Sequence, residues 1–483
     1  MSSDPQLAAQ AKFAQLGFFI LSGLPKGSEF GLDTKLWQTA AFSGVKFIPP
    51  GLHLFVFSAA PSAAQQGHLP ESLSSGVGVR HGLLRFFRTG ETVVEEWDNG
   101  REELKRPSSC GAASRKRRRT VEDGREETAV SEEYLKGLDK SLAAYPQEDI
   151  AKQWKSLTGF ITEETVARVV GVDERGSALV DALMGSPQDE QGAGPDEGIE
   201  RRTWGKEREP DEDEEEVERI KEIVEEDEEE GEETALVEFV KFDEKRSWPK
   251  GATGEELSRW SKDKSWQLSQ VVQSQLGDNP QELLGELQLA FILFSLVHNF
   301  SSLIVYKSLF SLICRSSALA HPPSSRPDCC SLPSPLLSTS ALPLFASFLA
   351  LVYSQVDFLE PSFFSTQLPS LEAHLLDSLA ILSQSLSDAL PAWTHLAQED
   401  PNVASVWKEV IKRWDALAAL TQERFGWDLG VIKGSRAGYT TAAPGQGRVW
   451  HDADEQDLDE LEEGEDAPVI VDEEGLYINS DDY

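Results

Sequence analysis

The chain has 483 residues, 45 Lys plus Arg against 83 Asp plus Glu, and a formal net charge of −38. Residues 207–233 hold 18 acids and 3 bases, and residues 449–483 hold 15 acids and no base, so each window carries −15 and the remainder only −8. This balance argues against a binder that tracks a nucleic-acid backbone, which needs clustered cations; collagen-like and coiled-coil classes are excluded because their periods are absent.

Residues 13–100 are β-rich. Phe18-Phe19-Ile20-Leu21 is a short apolar run ending at the turn Gly23-Leu24-Pro25-Lys26-Gly27. Leu52-His53-Leu54-Phe55-Val56-Phe57 follows the turn Ile48-Pro49-Pro50-Gly51 and is apolar on both faces, as in a strand buried in a sandwich or under a helix. Val79–Phe87 and Glu91–Trp97 are strands whose connection, Arg88-Thr89-Gly90, predicts a hairpin. Residues 106–128 are a polar insertion containing Arg115-Lys116-Arg117-Arg118-Arg119. This exposed basic cluster is a nuclear-import candidate; its bland alternative is a solvated charge run.

Residues 131–170 turn helical. Leu135, Leu138 and Leu142 recur at helical spacing, Tyr145-Pro146 breaks that helix, and Ile150–Leu157 forms the next. Thr162-Glu163-Glu164 opens a third, with a capping hydroxyl and acids in the first turn. The N-terminal domain is therefore set at 1–172. Residues 173–235, acidic and poor in apolar side chains, form an expected disordered linker.

Residues 236–430 predict an all-helical domain. Asn279-Pro280-Gln281-Glu282 is a helix start with an N-cap acceptor, Pro at N1 and Glu at N3 reaching back. Trp407, Val410, Ile411, Trp414, Leu417 and Ala418 form one helical stripe opposite Lys408, Glu409 and Lys412. Residues 315–343, rich in Ser, Pro and Leu, interrupt the pattern and are either a loop insertion or a translated intron. The apolar run Leu287–Ile313 is broken by His298, Asn299, serines and Lys307, which favours buried helices over a membrane span.

Cys110, Cys314, Cys329 and Cys330 are too few and irregular for a disulfide framework or a zinc site, and fit a reducing compartment. No basic, then apolar, N-terminal leader is expected from Met-Ser-Ser-Asp-Pro-Gln. The phosphate loop, the nucleophile elbow and the zinc helix are absent from the sequence, and the eight histidines lack ligand spacing. No catalytic, metal or cofactor residues are assigned. His53 reads as a hydrogen-bonded core histidine. In the acidic C-terminal tail, 431–483, Val469-Ile470-Val471 is a β-branched island suited to strand addition on a partner's sheet, and Ser480 before two aspartates is a phosphosite candidate.

Leu24–Asp33, Trp37 and Gly44–His53 together resemble the AAR-two family of splicing factors (A1-cistron splicing factors). Tyr145-Pro146, Trp154, Ser156–Ile161 and Glu164-Thr165-Val166 resemble the helical end of that family's first domain. Pro280–Gln288, Cys314-Arg315 and Arg424–Asp428 resemble landmarks of its second, and Pro468–Val471 resembles its C-terminal extension. The implied fold is α+β: a β-rich, sandwich-like domain with trailing helices, then an all-α VHS-like superhelical domain, with an acidic disordered linker and tail. The implied role is that of a U5 snRNP assembly chaperone, not an enzyme. Such a chaperone binds the large Prp-eight scaffold protein at its RNase-H-like and Jab/MPN-like domains, delaying the Brr-two helicase and RNA. The resemblance implies no cofactor, no direct nucleic-acid or membrane partner, a monomer when free, and a nuclear location with a cytoplasmic assembly phase. Two other classes stay open: an acidic, histone-chaperone-like binder and a carboxylate-dependent hydrolase.

Overall fold

The computed structural model describes residues 15–38, 42–60, 78–105, 141–186, 236–243, 246–326, 336 and 340–432. The N-terminal apolar runs become two five-stranded sheets. The strands are β1 (Gly17–Ser22), β2 (Glu29–Leu32), β3 (Lys35–Gln38), β4 (Gly44–Ile48), β5 (Gly51–Ser58), β6 (His81–Phe87), β7 (Thr92–Asp98), β8 (Glu103–Leu104), β9 (Ala143–Ala144) and β10 (Ser177–Asp181). One sheet has the order β8-β7-β1-β4-β9, the other β10-β6-β5-β2-β3. Their apolar faces meet through aromatic rings. Phe19 of β1 stacks on Phe55 of β5 with centroids 4.0 Å apart, and Phe57 packs against Trp97 at 6.2 Å. All four rings are buried, each contributing roughly 2–3 kcal/mol by burial.

The expected hairpin of β6 and β7 does not form. β6 pairs with β5 and β10, whereas β7 lies parallel to β1 and antiparallel to β8. The Arg88-Thr89-Gly90 turn instead carries the chain from one sheet to the other. Among the contacts that hold it, Phe18 N–H donates to the Glu91 carbonyl (2.8 Å), Gly90 N–H to the Gln15 carbonyl (3.2 Å), and Arg85 pairs with the Glu91 carboxylate. Local turn signals report that the chain reverses, not which strand it joins.

His53 is the core histidine expected. It is 3% exposed. Its Nδ1 is hydrogen-bonded with Asp33 Oδ2 (2.9 Å) and its Nε2 with the Pro49 carbonyl (2.8 Å). Asp33 also accepts from the Tyr145 hydroxyl (2.7 Å) and from Leu54 N–H (3.0 Å). A buried carboxylate is tolerable only with partners of this kind. The network pins β2, β5 and the chain before the first helix to one another.

Helices α1 (Gln147–Thr158) and α2 (Glu163–Val169) follow. Thr162 caps α2 in a reciprocal box with Thr165, as its sequence predicts. Leu142 sits in a bend before β9, and Leu135 and Leu138 lie outside the described residues. The linker expectation for 173–235 needs correction at its start. Ser177–Asp181 is strand β10, antiparallel to β6, with Ala178 and Val180 buried. Residues 187–235 lie outside the described residues.

The second half is helical: α3 (Glu255–Lys262), α4 (Ser265–Gln275), α5 (Pro280–Ile292) running into a π-helical turn (Leu293–Val297), α6 (Phe300–Cys314), α7 (Ser317–Ala320), α8 (Leu342–Phe358), α9 (Phe363–Thr366), α10 (Pro369–Glu399) and α11 (Pro401–Phe425). α11 buries Trp407, Val410, Trp414 and Leu417, the predicted stripe, against α8 and α10. Pro280–Val297 is long and apolar enough to span a bilayer, but 78% of that window is buried within the protein. The doubtful segment 315–343 has its flanks in the core: Ala318, Leu319, Ala320 and Ala341 are buried, and Arg326 donates to the carbonyls of His321 and Leu336. Residues 327–335 and 337–339 lie outside the described residues. The buried apolar side chains of both halves form one continuous cluster.

Glu95 on β7 generates a prediction. Burial pushes its carboxyl up to about 7, against the pull of Arg175 at 3.6 Å. The folded value lies above the ordinary 4.5, so its contribution to stability is fully present below pH 4.5 and lost as pH rises through about 7. Glu95→Gln is expected to raise the melting temperature relative to the parent at pH 8 and to leave it nearly unchanged at pH 4.5, in paired thermal melts.

Candidate functional site

The two halves meet along α5, and the residues on that helix explain how. Glu282 does not reach back to its own N-cap. Its Oε2 accepts from the Thr165 hydroxyl of α2 (2.8 Å) and lies 3.5 Å from Arg168. One turn on, Glu286 is fully buried, pairs with Arg168, and accepts from Val240 N–H (2.9 Å). Gln288 accepts from Phe160 N–H (2.7 Å) and donates to the Ser156 carbonyl (3.1 Å). Between them Gly285 faces the Phe160 carbonyl so closely that a Cβ there would stand 2.5 Å from the oxygen. The segments 156–166 and 280–288 thus touch each other over most of their length.

Residues 236–243 are not helical. They cross this seam in extended form: Val237 N–H donates to Gly185 and Glu238 N–H to Val169, both at the carbonyl. Lys241 N–H donates to Gln275 Oε1 (2.9 Å).

A second polar junction lies at the other end of α5. The π-helical turn ends at His298, whose φ is 66°. Arg80 donates to the Leu296 carbonyl (3.0 Å), to His298 Nε2 (2.7 Å) and to Glu29. Asn299 donates to the Asp181 and Met184 carbonyls (2.9 and 2.8 Å) while capping α6. Ala182 N–H donates to the Arg80 carbonyl (3.0 Å). Arg80, Ala182 and Asn299 each have an exposed apolar neighbour in sequence: Val79 (41% exposed), Leu183 (77%) and Phe300 (66%). Three exposed apolar side chains thus stand next in sequence to residues of a junction contributed by both halves. Large apolar side chains held out on a rigid frame mark protein-binding surfaces. This junction, with the exposed side chains that flank it in sequence, is the candidate functional site.

Among the described residues no group of three or more His, Cys, Asp or Glu side chains is placed to hold a metal ion. Cys314 is fully buried, which pushes its thiol upward and away from reactivity. The sequence-predicted site residues Arg115, Lys116, Arg117, Arg118, Arg119, Val469, Ile470, Val471 and Ser480, and both acidic windows, lie outside the described residues. Sequence reasoning missed Arg80, Leu183, His298 and Phe300. A polar dipeptide ahead of an apolar helix, His298-Asn299, was the available signal.

The segment Arg424–Asp428 closes the far end of the helical half. Arg424 donates to the carbonyls of Asp357 and Leu359 (2.5 and 2.6 Å), Trp427 Nε1–H donates to Glu372 (2.7 Å), and Phe364, Phe425 and Trp427 form an aromatic cluster. Gly426 ends α11 at φ 75°.

Comparison with known proteins divides the chain at the same seam. Residues 15–171 match the family model described as the AAR2 N-terminal domain, and residues 239–430 match the AAR2 C-terminal repeat region. The chain is 31% identical over 326 residues to the Protein AAR2 homolog of Mus musculus, covering 66% of this chain and 74% of the relative. It is 31% identical over 324 residues to the Homo sapiens homolog, covering 65% and 73%. With the Caenorhabditis elegans homolog it shares 35% over 156 residues, 32% of this chain and 34% of that one.

Two outcomes follow from the seam. Gly285→Ala forces a methyl onto the Phe160 carbonyl and is expected to cost about 2 kcal/mol in chemical denaturation. His298 is held down to about 4, by burial first and then by the Arg80 charge. Its folded value lies below the ordinary 6.5, so its contribution is present above pH 6.5 and lost as pH falls toward about 4. His298→Asn, a residue that tolerates positive φ, should flatten the fall in stability over that range.

Proposed function

The chain belongs to the AAR2 family, and from that premise we propose that it serves pre-mRNA splicing as a non-enzymatic assembly chaperone of the U5 snRNP. In this reading its folded surfaces hold the large Prp-eight scaffold protein and sterically delay the Brr-two helicase and RNA. The observation that carries the reading is the clasp itself: the two segments matched to the family models lock together through Thr165, Arg168, Gly285 and Glu286. A body in which both matched segments share one apolar core suits a protein that works by occupying another protein's surface. The exposed side chains of Val79, Leu183 and Phe300 are assigned to the scaffold contact.

The acidic windows at 207–233 and 449–483 are assigned a second task, shielding basic RNA-binding surfaces of the scaffold by presenting negative charge. Val469-Ile470-Val471 adds as a strand to the scaffold's sheet edge, gaining main-chain hydrogen bonds. Action is nuclear after a cytoplasmic assembly phase, with Arg115–Arg119 as the import signal and Ser480 as a modification site. The same acidic windows favour one competing reading, an acidic histone-chaperone-like binder, in which the tracts alone would suffice.

The test is affinity purification of the tagged chain from its native cells. The U5 scaffold protein is expected to co-purify without the helicase; a capture empty of spliceosomal components overturns the reading. Leu183→Asp with Phe300→Asp should weaken capture about tenfold or more, as loss of a binding hot spot does. Val469→Pro with Ile470→Pro should weaken it independently. Deleting 207–233 should lower the salt dependence of binding. Capture of basic partners by a 449–483 peptide alone, at the affinity of the full chain, would favour the competing reading.

A further inference from the structure

Far from the seam, the helical half carries a basic cleft that the chaperone reading does not use. The last turn of α3 supplies Arg259, Ser261 and Lys262, the end of α6 supplies Arg315, the start of α7 supplies Ser317, and Ile381 of α10 forms one apolar wall. The cleft is about 620 Å³. Its three cations are exposed, and among the described residues none is in an ion pair, although Glu255 stands one helical turn from Arg259. Three unpaired cations converging on one concavity stand out in a chain whose net charge is −38.

The base of the cleft is rigid. Lys264 N–H donates to the Arg315 carbonyl (3.0 Å), joining the start of α4 to the end of α6. The carboxylate in the wall, Asp263, is occupied: Oδ1 accepts from Ser265 N–H (2.9 Å) and Oγ–H (2.6 Å), and Oδ2 from Ala318 N–H (3.0 Å). It organises the wall and has its acceptor sites turned to the protein. Ser317 Oγ is 3.0 Å from Ser385 Oγ, which anchors the α10 side.

We infer that this cleft binds a single phosphomonoester group, held by Arg259, Lys262 and Arg315. The planar forks of two arginines match phosphate oxygens in pairs, and a lysine adds a third donor. The small number of cations and the overall negative charge of the chain argue against a long polyanion, which would need an extended cationic track. A phosphoserine or phosphothreonine side chain and a free phosphate share the chemistry the cleft reads.

Titration of the full chain, followed calorimetrically, tests the inference with four probes: inorganic phosphate, a short Ala–Gly peptide with one phosphoserine, its aspartate counterpart, and a single-stranded RNA oligonucleotide. The phosphopeptide is expected to bind. Arg259→Ala with Arg315→Ala should weaken it about tenfold or more, and Arg101→Ala, an exposed arginine elsewhere, should leave it unchanged. Inorganic phosphate binding as tightly as the phosphopeptide would assign the site to the free ion; weaker phosphate binding would assign it to a protein-borne phosphate. Either supports the site. Equal binding of the aspartate peptide, tighter binding of the RNA with the same arginine dependence, or no binding of any probe at millimolar concentration would overturn it. All three cations are exposed, so the variants are expected to fold, which unchanged thermal melts would establish.

Discussion

A carboxylate buried between two lobes is the constraint on which this molecule turns. Glu286 has no access to water, and an isolated charge in that position would be prohibitively costly. It is tolerated because Arg168 from one lobe and the Val240 main chain from the linking segment both reach it. The apolar cluster running through both lobes provides cohesion but little direction, since hydrophobic burial is not directional. Position comes from the polar contacts: Glu282, Glu286 and Gln288 within two turns of α5, and Arg80, His298 and Asn299 at its far end. Two separated polar anchors on one helix fix both translation and rotation of the lobes.

The π-helical turn belongs to the same logic. An extra residue in the helical ladder re-aims the chain so that His298 takes a left-handed conformation and Asn299 begins a new helix. Without that interruption α5 and α6 would continue as one rod, and Asn299 would not face the 181–184 loop.

Much of the architecture was legible in the residues because it rests on local signals. The buried strand at 51–58 and the α11 stripe follow from periodicity, and the α2 cap from Thr162. What escaped was non-local. The β6–β7 pairing failed because sheet membership depends on β1, some seventy residues earlier in the chain. Glu282 was misread because a capping residue and a cross-lobe ligand look identical in one dimension. β10 was hidden by the acidic sequence that follows it, although Ala178 and Val180 alternate inward. The exposed apolar side chains were invisible for a similar reason: a Leu or a Phe in a sequence gives no sign of which way it will face.

The distance along the chain between Arg168 and its partner has a consequence for biosynthesis. The two residues are 118 positions apart. At a translation rate of about 5–20 residues per second, the nascent β-rich lobe waits about 6–24 s with this guanidinium unneutralised and the surface beneath α5 uncovered. During that interval the ribosome-bound lobe is an incomplete object, with an apolar flank open to premature contacts. The strongly acidic stretch synthesised in between, 207–233, emerges within that window and keeps the unfinished polypeptide highly charged while it waits.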